Sequence, residues 1–363
     1  MYMRKVLCSP GSYVQQEGAM GKLAGEYAAL GTKGAHLIVD PVIDGLYHDD
    51  IVASFEHDGI PYELMKFGGE CSMEEVDRHR AHLGDSDAVI GIGGGKTLDT
   101  AKAVAHFAHL PVMIVPTAAS SDAPCSRLSV LYTPEGVFDR YLPLPANPNV
   151  VLMDTDVIAK APVRFLVSGL GDAFATYYEA AACVQSNAVT MTGGHATMAA
   201  FALARLCRDT LLEDGVKAVA AAKAGVRTAA LEKIIEANTL LSGLGFESSG
   251  LAAAHAIHDG MTALEGTHSM LHGEKVAFGT LAQLVLEDHP LEETRRVYGF
   301  FRSVGLPTSL EQIGIGQASE EDLLKVGEHA CGPDETMGNM PFEVTPTDVA
   351  HALRAADQLG KQL

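Results

Sequence analysis

The chain has 363 residues, 47% of them apolar, and 46 acidic side chains against 26 basic ones give a formal net charge of −20. That length accommodates two domains with a core each, and the composition is that of an ordered globular protein. Such acidity excludes nucleic acid and an anionic membrane surface as expected partners, and no window approaches the apolar length of a membrane span.

Taken in chain order, the segment Met1–Cys8 is charged and lacks a long apolar run, so no signal peptide and a cytoplasmic location are expected. Short apolar runs then alternate with helical patterns. The predicted strands are Lys5–Ser9, His36–Asp40, Tyr62–Phe67, Ala88–Ile92 and Val112–Pro116. This alternation predicts a parallel, Rossmann-like α/β sheet. Between Leu128 and Leu142 the pattern changes to two strand-like runs across Pro134-Glu135-Gly136, which predicts a β-hairpin. Val150–Asp154 reads as one more strand. Beyond Ala161-Pro162 the chain turns helical, with Gly194–Glu213, Ala218–Leu241 and Pro346–Leu363 rich in Ala, Leu, Glu and Lys at helical spacing. A boundary is therefore expected near residue 161, with an α/β domain over 1–161 and an all-helical domain over 162–363.

The six cysteines are scattered and form no C-x-x-C pair, as expected of free thiols in a reducing compartment. The most informative stretch is Gly91-Ile92-Gly93-Gly94-Gly95-Lys96-Thr97, which follows a predicted strand and opens an Ala-rich helix. Glycines let a backbone approach a diphosphate, and a helix N-terminus offers it free N–H groups. The spacing is one residue short of a P-loop, because Ile90 stands where the first glycine would fall. The run also lies too deep in the chain for a standard dinucleotide fingerprint. Asp40, at the C-terminal end of a predicted strand, is the better candidate for a ribose. The alternative is that Gly93–Gly95 form a tight turn and nothing more.

In the helical half, His255, His258, His268 and His272 fall close together. Neutral imidazoles suit zinc, with a carboxylate completing a three-ligand site. Spacing alone does not select the carboxylate. Asp172, between glycines and the start of an Ala-rich stretch with few other charges, is the attractive choice, although an N-cap is the alternative reading. Two histidines and one carboxylate also match a non-haem iron site, so zinc and iron both remain open at this point.

The stretches Gly93–Lys102, Pro116–Pro124, Gly171-Asp172-Ala173, Gly250–His258 and His272–Ala277 together resemble the iron-containing alcohol dehydrogenase family, in its zinc-using, polyol-oxidising branch. The resemblance runs along the whole chain. It implies the two-part fold shared with dehydroquinate synthase, NAD in the cleft between the parts, and oxidation of glycerol to dihydroxyacetone or of related vicinal diols. It further implies Asp40 at the adenosine ribose and Gly94, Gly95, Lys96 and Asp99 around the diphosphate. Thr117, Ser120, Ser126, Leu128 and Tyr132 would line the rest of the coenzyme. Metal ligands would be Asp172, His255 and His272, with Asp122 contacting the polyol and Phe246 supplying an apolar wall. Iron-dependent relatives carry a histidine four residues after the metal aspartate; Thr176 stands there in this chain, which favours zinc over iron. A homo-oligomer, up to an octamer, is implied as well. The rival within the fold, a dehydroquinate synthase-type lyase, needs basic side chains around a phosphorylated acid, and residues 166–180 and 248–273 contain no Lys or Arg.

Overall fold

The computed structural model describes residues 3–363; Met1 and Tyr2, the start of the segment read for a signal, lie outside them. Eight strands form two sheets: β1 Ser12–Gln16, β2 Ala35–Val39, β3 Tyr62–Lys66, β4 Ala88–Gly93, β5 Val112–Pro116, β6 Leu128–Tyr132, β7 Phe138–Pro143 and β8 Val150–Asp154. Six of them make a parallel sheet in the order β1-β8-β5-β4-β2-β3. Its inner strands β2, β4, β5 and β8 are buried along their whole length, which explains their unbroken apolar runs. The chain runs outward from β2 to β3, then returns to place β4 on the other side of β2. A crevice opens at such a reversal, beyond the C-terminal ends of the strands. The antiparallel hairpin β6–β7 turns where Thr133 donates its N–H to Val137 and Gly136 adopts φ +84°.

Among the first helices, α1 (Leu23–Tyr27), α2 (Pro41–Asp58), α3 (Met73–Arg80), α4 (Gly95–Ala108) and α5 (Thr155–Lys160) accompany the sheet. Everything after them is helical: α6 Val163–Ser186, α7 Met198–Lys223, α8 Ala229–Glu236, α9 Ser242–Ser249, α10 Ala253–Met261, α11 His272–Leu286, α12 Leu291–Val304, α13 Glu320–Ala330 and α14 Pro346–Gln362. A π-helical turn, Ala237–Leu241, joins α8 to α9. No helix among the described residues is long and apolar enough to cross a membrane. All six cysteines are free.

Two expectations need correction. Lys5–Ser9 is no strand; Lys5 makes a single bridge to His195, and the first strand is Ser12–Gln16. That strand lies at the sheet's edge, half-buried and polar, and its place comes from pairing with β8 rather than from its own hydrophobicity. The helices expected at 194–213 and 218–241 are also divided elsewhere. Thr197 caps a single helix from Met198 to Lys223, and the break falls at Gly225, φ +65°. Gly215, inside that helix, is no breaker: a Cβ there would lie 2.9 Å from the Phe300 ring, so the glycine admits the crossing of α12.

Candidate active site

The sheet side of the site is a cavity of about 420 Å³ at the β2/β4 reversal, lined by Asp40, Gly94, Gly95, Thr117, Ser120 and Phe165, among others. Asp40 follows the last residue of β2 and caps α2 through Oδ1, which accepts from the N–H groups of Val42 and Ile43 at 2.9 and 3.4 Å. Oδ2 makes no such bond and is left for a ligand. Gly93 is required where it stands, since a Cβ would meet the Asp40 Cβ at 2.8 Å and Thr97 at 3.0 Å. Beyond it, α4 begins with no side-chain cap, so its first N–H groups face the cavity at Gly94 and Gly95. Unpaired donors and a positive helix end suit an anionic group.

The helical side holds the metal-type cluster. Asp172 Oδ1 lies 3.1 Å from His272 Nε2 and 3.3 Å from His255 Nε2, and the three donor atoms all fall within 4.8 Å of one another. Donors bound tetrahedrally to zinc at about 2.0–2.1 Å are ~3.3 Å apart, so the set fits such an ion. The surroundings fit too: Asp122, Asp172 and Glu179 are buried carboxylates whose hydrogen-bonding partners include no Lys or Arg. A divalent cation among them would offset most of that charge. Burial alone would raise the Asp172 carboxyl, but the two imidazoles outweigh it and hold it well below the usual range. For His255, burial opposes the charged ring, yet Glu179 and Asp172 push its pKa well up.

Glycine contacts bring the ligands together. A Cβ on Gly273 would lie 1.8 Å from the Ser168 carbonyl, and one on Gly171 would lie 2.3 Å from the Gly273 carbonyl. Helices α6 and α11 therefore touch backbone to backbone beside Asp172 and His272. Gly279 does the same between α11 and α10, 2.3 Å from the Ala254 carbonyl, next to His255. One loop joins the two sides: Thr117 and Ser120 line the cavity, and the Asp122 N–H donates to Asp172 Oδ2 at 3.2 Å.

An iron-containing alcohol dehydrogenase family model matches residues 10–155. The chain is 54% identical over 354 residues to the glycerol dehydrogenase of Thermotoga maritima, spanning 97% of this chain and 96% of that one. The chain belongs to the iron-containing alcohol dehydrogenase family. It is also 52% identical over 362 residues to a glycerol dehydrogenase of Escherichia coli, covering 99% and 98% of the two chains. The crystal structure of glycerol dehydrogenase from Schizosaccharomyces pombe superposes with a TM-score of 0.96 at 44% identity, covering 99% of this chain and 92% of that one.

Within this iron-containing alcohol dehydrogenase, not every residue singled out from sequence reaches the cavity or the cluster. Asp172 does not open its helix; it sits mid-way along α6, and capping is not its role. His258 joins the cluster, its Nε2 3.1 Å from His272 Nδ1, whereas His268 bonds the Thr262 carbonyl away from it. Burial, with His272 beside it, pushes the His258 pKa down to about 3. Lys96 turns from the cavity to Glu70, at 2.5 and 2.7 Å, and lies over the Tyr132 ring. Both carboxylate oxygens of Asp99 are engaged, by Lys102 Nζ at 3.2 Å and the Val130 N–H at 3.0 Å. Ser126 is buried and donates to the Ala123 carbonyl, and Leu128 opens β6 with its carbonyl accepting from Lys102. Phe246 is buried on α9, four residues after Ser242 and so on the same face. That face reaches Asp122, whose Oδ2 accepts from Ser242 Oγ at 2.6 Å. Thr176 lies 2.8 Å from the same hydroxyl.

Sequence reading passed over Ser242, Lys102 and Glu179. Glu179 carried a signal: it follows Asp172 by seven residues, two helical turns, in a stretch otherwise almost free of charge.

Proposed function

We propose that this chain oxidises glycerol, and related vicinal diols, to the corresponding hydroxyketone with NAD, reversibly, and that Asp172, His255 and His272 hold a zinc ion. The observation that carries the reading is the spacing of the three donors, 3.1 and 3.3 Å about one carboxylate oxygen, at the end of the loop that leaves the glycine-edged cavity. The names of the relatives supply the substrate. Zinc, when bound, lowers the pKa of a coordinated alcohol and so favours its deprotonated form. NAD, when bound, takes the hydride, while the protein sets the geometry.

The chain's own residues divide the remaining work. Gly94, Gly95 and the uncapped start of α4 receive the diphosphate, and Asp40 Oδ2 takes the ribose hydroxyls. Ser242 holds Asp122 by one oxygen, which leaves Oδ1 for a hydroxyl of the polyol. Phe246, on the same face of α9, would back the carbon chain. Asp99, Ser126 and Leu128 are proposed to act behind the coenzyme through the Lys102 contacts that tie α4 to the hairpin, and Lys96 and Tyr132 through their own contact with each other. The proposal includes a division of the chain near residue 161, a cytoplasmic location and a homo-oligomer. A lyase acting on a phosphorylated acid is disfavoured by the same absence of Lys and Arg among the cluster's partners; Arg164 is held by Glu274 at 2.6 and 2.7 Å.

The test is to mix protein, NAD, zinc and glycerol and follow the absorbance of reduced coenzyme, with propane-1,2-diol and butane-2,3-diol alongside. His272→Ala should lose zinc and turnover together. A zinc-loaded, fully active variant refutes the ligand assignment.

A further inference from the structure

Glu179 is completely buried on α6, and every bond it makes goes to the segment that carries His255. Oε1 accepts from the backbone N–H groups of Ala252 and His255, both at 2.9 Å. Oε2 accepts from His255 Nδ1 at 2.6 Å. The start of α10 has no side-chain cap of its own; this carboxylate takes two of its donors, and Gln283 Oε1 takes the Ala254 N–H at 3.0 Å. The helix end and the ring together account for an anion in a site without Lys or Arg.

We propose that Glu179 is a positioning residue, which fixes His255 in the tautomer whose Nε2 lone pair faces the metal position. The inference rests on the metal reading above. An ionised carboxylate only accepts hydrogen bonds, so the proton of a neutral His255 ring must sit on Nδ1. Nε2 of that neutral ring, the form a bound cation requires, is then a lone pair 3.3 Å from Asp172 Oδ1, whereas without the cation Glu179 and Asp172 favour the doubly protonated ring. Two such electron-rich atoms face each other favourably when a cation lies between them. His272 has no equivalent anchor, because its Nδ1 meets a neutral-capable ring, His258, at 3.1 Å.

The geometry makes Glu179→Gln a sharp variant. The two backbone N–H groups require an acceptor at Oε1, so the Gln amide cannot flip. Its NH2 group must then face His255 Nδ1, forcing Nδ1 to accept and moving the proton to Nε2. That tautomer cannot bind metal through Nε2, although size and most bonds are retained.

The experiment measures zinc affinity of the full chain by competition with a chromophoric chelator, for wild type, E179Q, His255→Ala and the double variant. The visible spectrum of the cobalt-loaded protein reports ligand geometry independently of turnover. E179Q is expected to bind zinc about 10–100-fold more weakly, the range seen when a group behind a metal ligand is lost, with an altered cobalt spectrum. In the H255A background the same change should cost nothing further, since Glu179 acts through that ring. Should E179Q not fold, Glu179→Asp carries the same comparison: weaker binding while His255 is present, no added loss in the H255A background. Wild-type-like zinc affinity in E179Q, or a loss that simply adds to that of H255A, overturns the inference and leaves the metal reading standing. A wild-type protein that binds no zinc overturns both.

Discussion

The sheet side of the cleft is made mostly of backbone: the uncapped first turn of α4, two glycines and one carboxylate, Asp40, at a strand end. The helical side is made of side chains from three helices, locked to one another by hydrogen bonds, with Asp172 and Glu179 buried and His272 exposed at its rim. Backbone donors tolerate change around them, because any residue that keeps the local φ/ψ keeps the N–H groups. A side-chain cluster depends on where whole helices sit, so a shift of an ångström in one helix reaches the chemistry. Substitutions on the two sides should therefore fail differently.

The largest effect is expected at Gly273→Ala. The new methyl would occupy the place of the Ser168 carbonyl, 1.8 Å away, and lie 2.9 Å from the Asp172 N–H. Helix α11 has to move off α6, which separates His272 from Asp172. Overpacking of this kind costs about 1–3 kcal/mol, and the displacement should lower turnover by about 100-fold or more. Thermal unfolding and a zinc titration read the two losses. A G273A protein that binds zinc normally would show that the helices are not held by that contact.

On the sheet side, Asp40→Asn keeps a good cap for α2 but removes the charge that the proposed function assigns to the ribose. The Michaelis constant for NAD should rise about 10–100-fold, in line with a lost charged hydrogen bond of roughly 1.5–3 kcal/mol. Zinc affinity should not change. An altered zinc affinity would mean that the two sides are coupled more tightly than their construction suggests. Ser242→Ala tests the join between them. It leaves Asp122 Oδ2 without its donor, so the constant for glycerol should rise by about tenfold or less, again with zinc binding intact.

The same contrast governs what could be read from sequence. Inner strands announce themselves through unbroken apolar runs, and the glycine run before α4 is local, so the cavity's floor was visible at once. The edge strand Ser12–Gln16 was not, because a half-exposed strand owes its existence to its neighbour β8. Asp172, His255 and His272 were reached by residue type and by resemblance, not by pattern. Their convergence depends on helix contacts at Gly171, Gly273 and Gly279 that no periodicity reveals. The misplaced break in α7 has a related cause: Gly215 serves the crossing of another helix, and its local propensity is overridden. Lys96 shows the limit of motif reading, since its partner Glu70 lies in a different segment.

The last effect leaves turnover untouched: it concerns stability and belongs to the sheet side alone. His36, fully buried on β2, lies 3.0 Å from His79, which in turn lies 3.0 Å from Glu75. Burial, followed by the charge of His79, pushes the His36 pKa down to about 4. In the unfolded chain it returns to about 6.5. Between those values the unfolded chain holds a proton that the folded one does not, so stability is complete above pH 6.5 and declines as the pH falls toward 4. The contribution is on the order of 3 kcal/mol, at about 1.36 kcal/mol per pH unit of difference. Glu75, lowered to about 2 by Arg78 and His79 against the effect of burial, acts in the same sense but at lower pH, below its unfolded value. His36→Gln keeps an amide for His79 to bond and removes the titrating group. Denaturant unfolding of the metal-free protein at several pH values should then show a flatter profile between pH 6.5 and 4 in the variant, and an unchanged one below. An identical slope in both proteins would place the acid sensitivity elsewhere, and the helical cluster, with its own buried histidines, would be the next region to test.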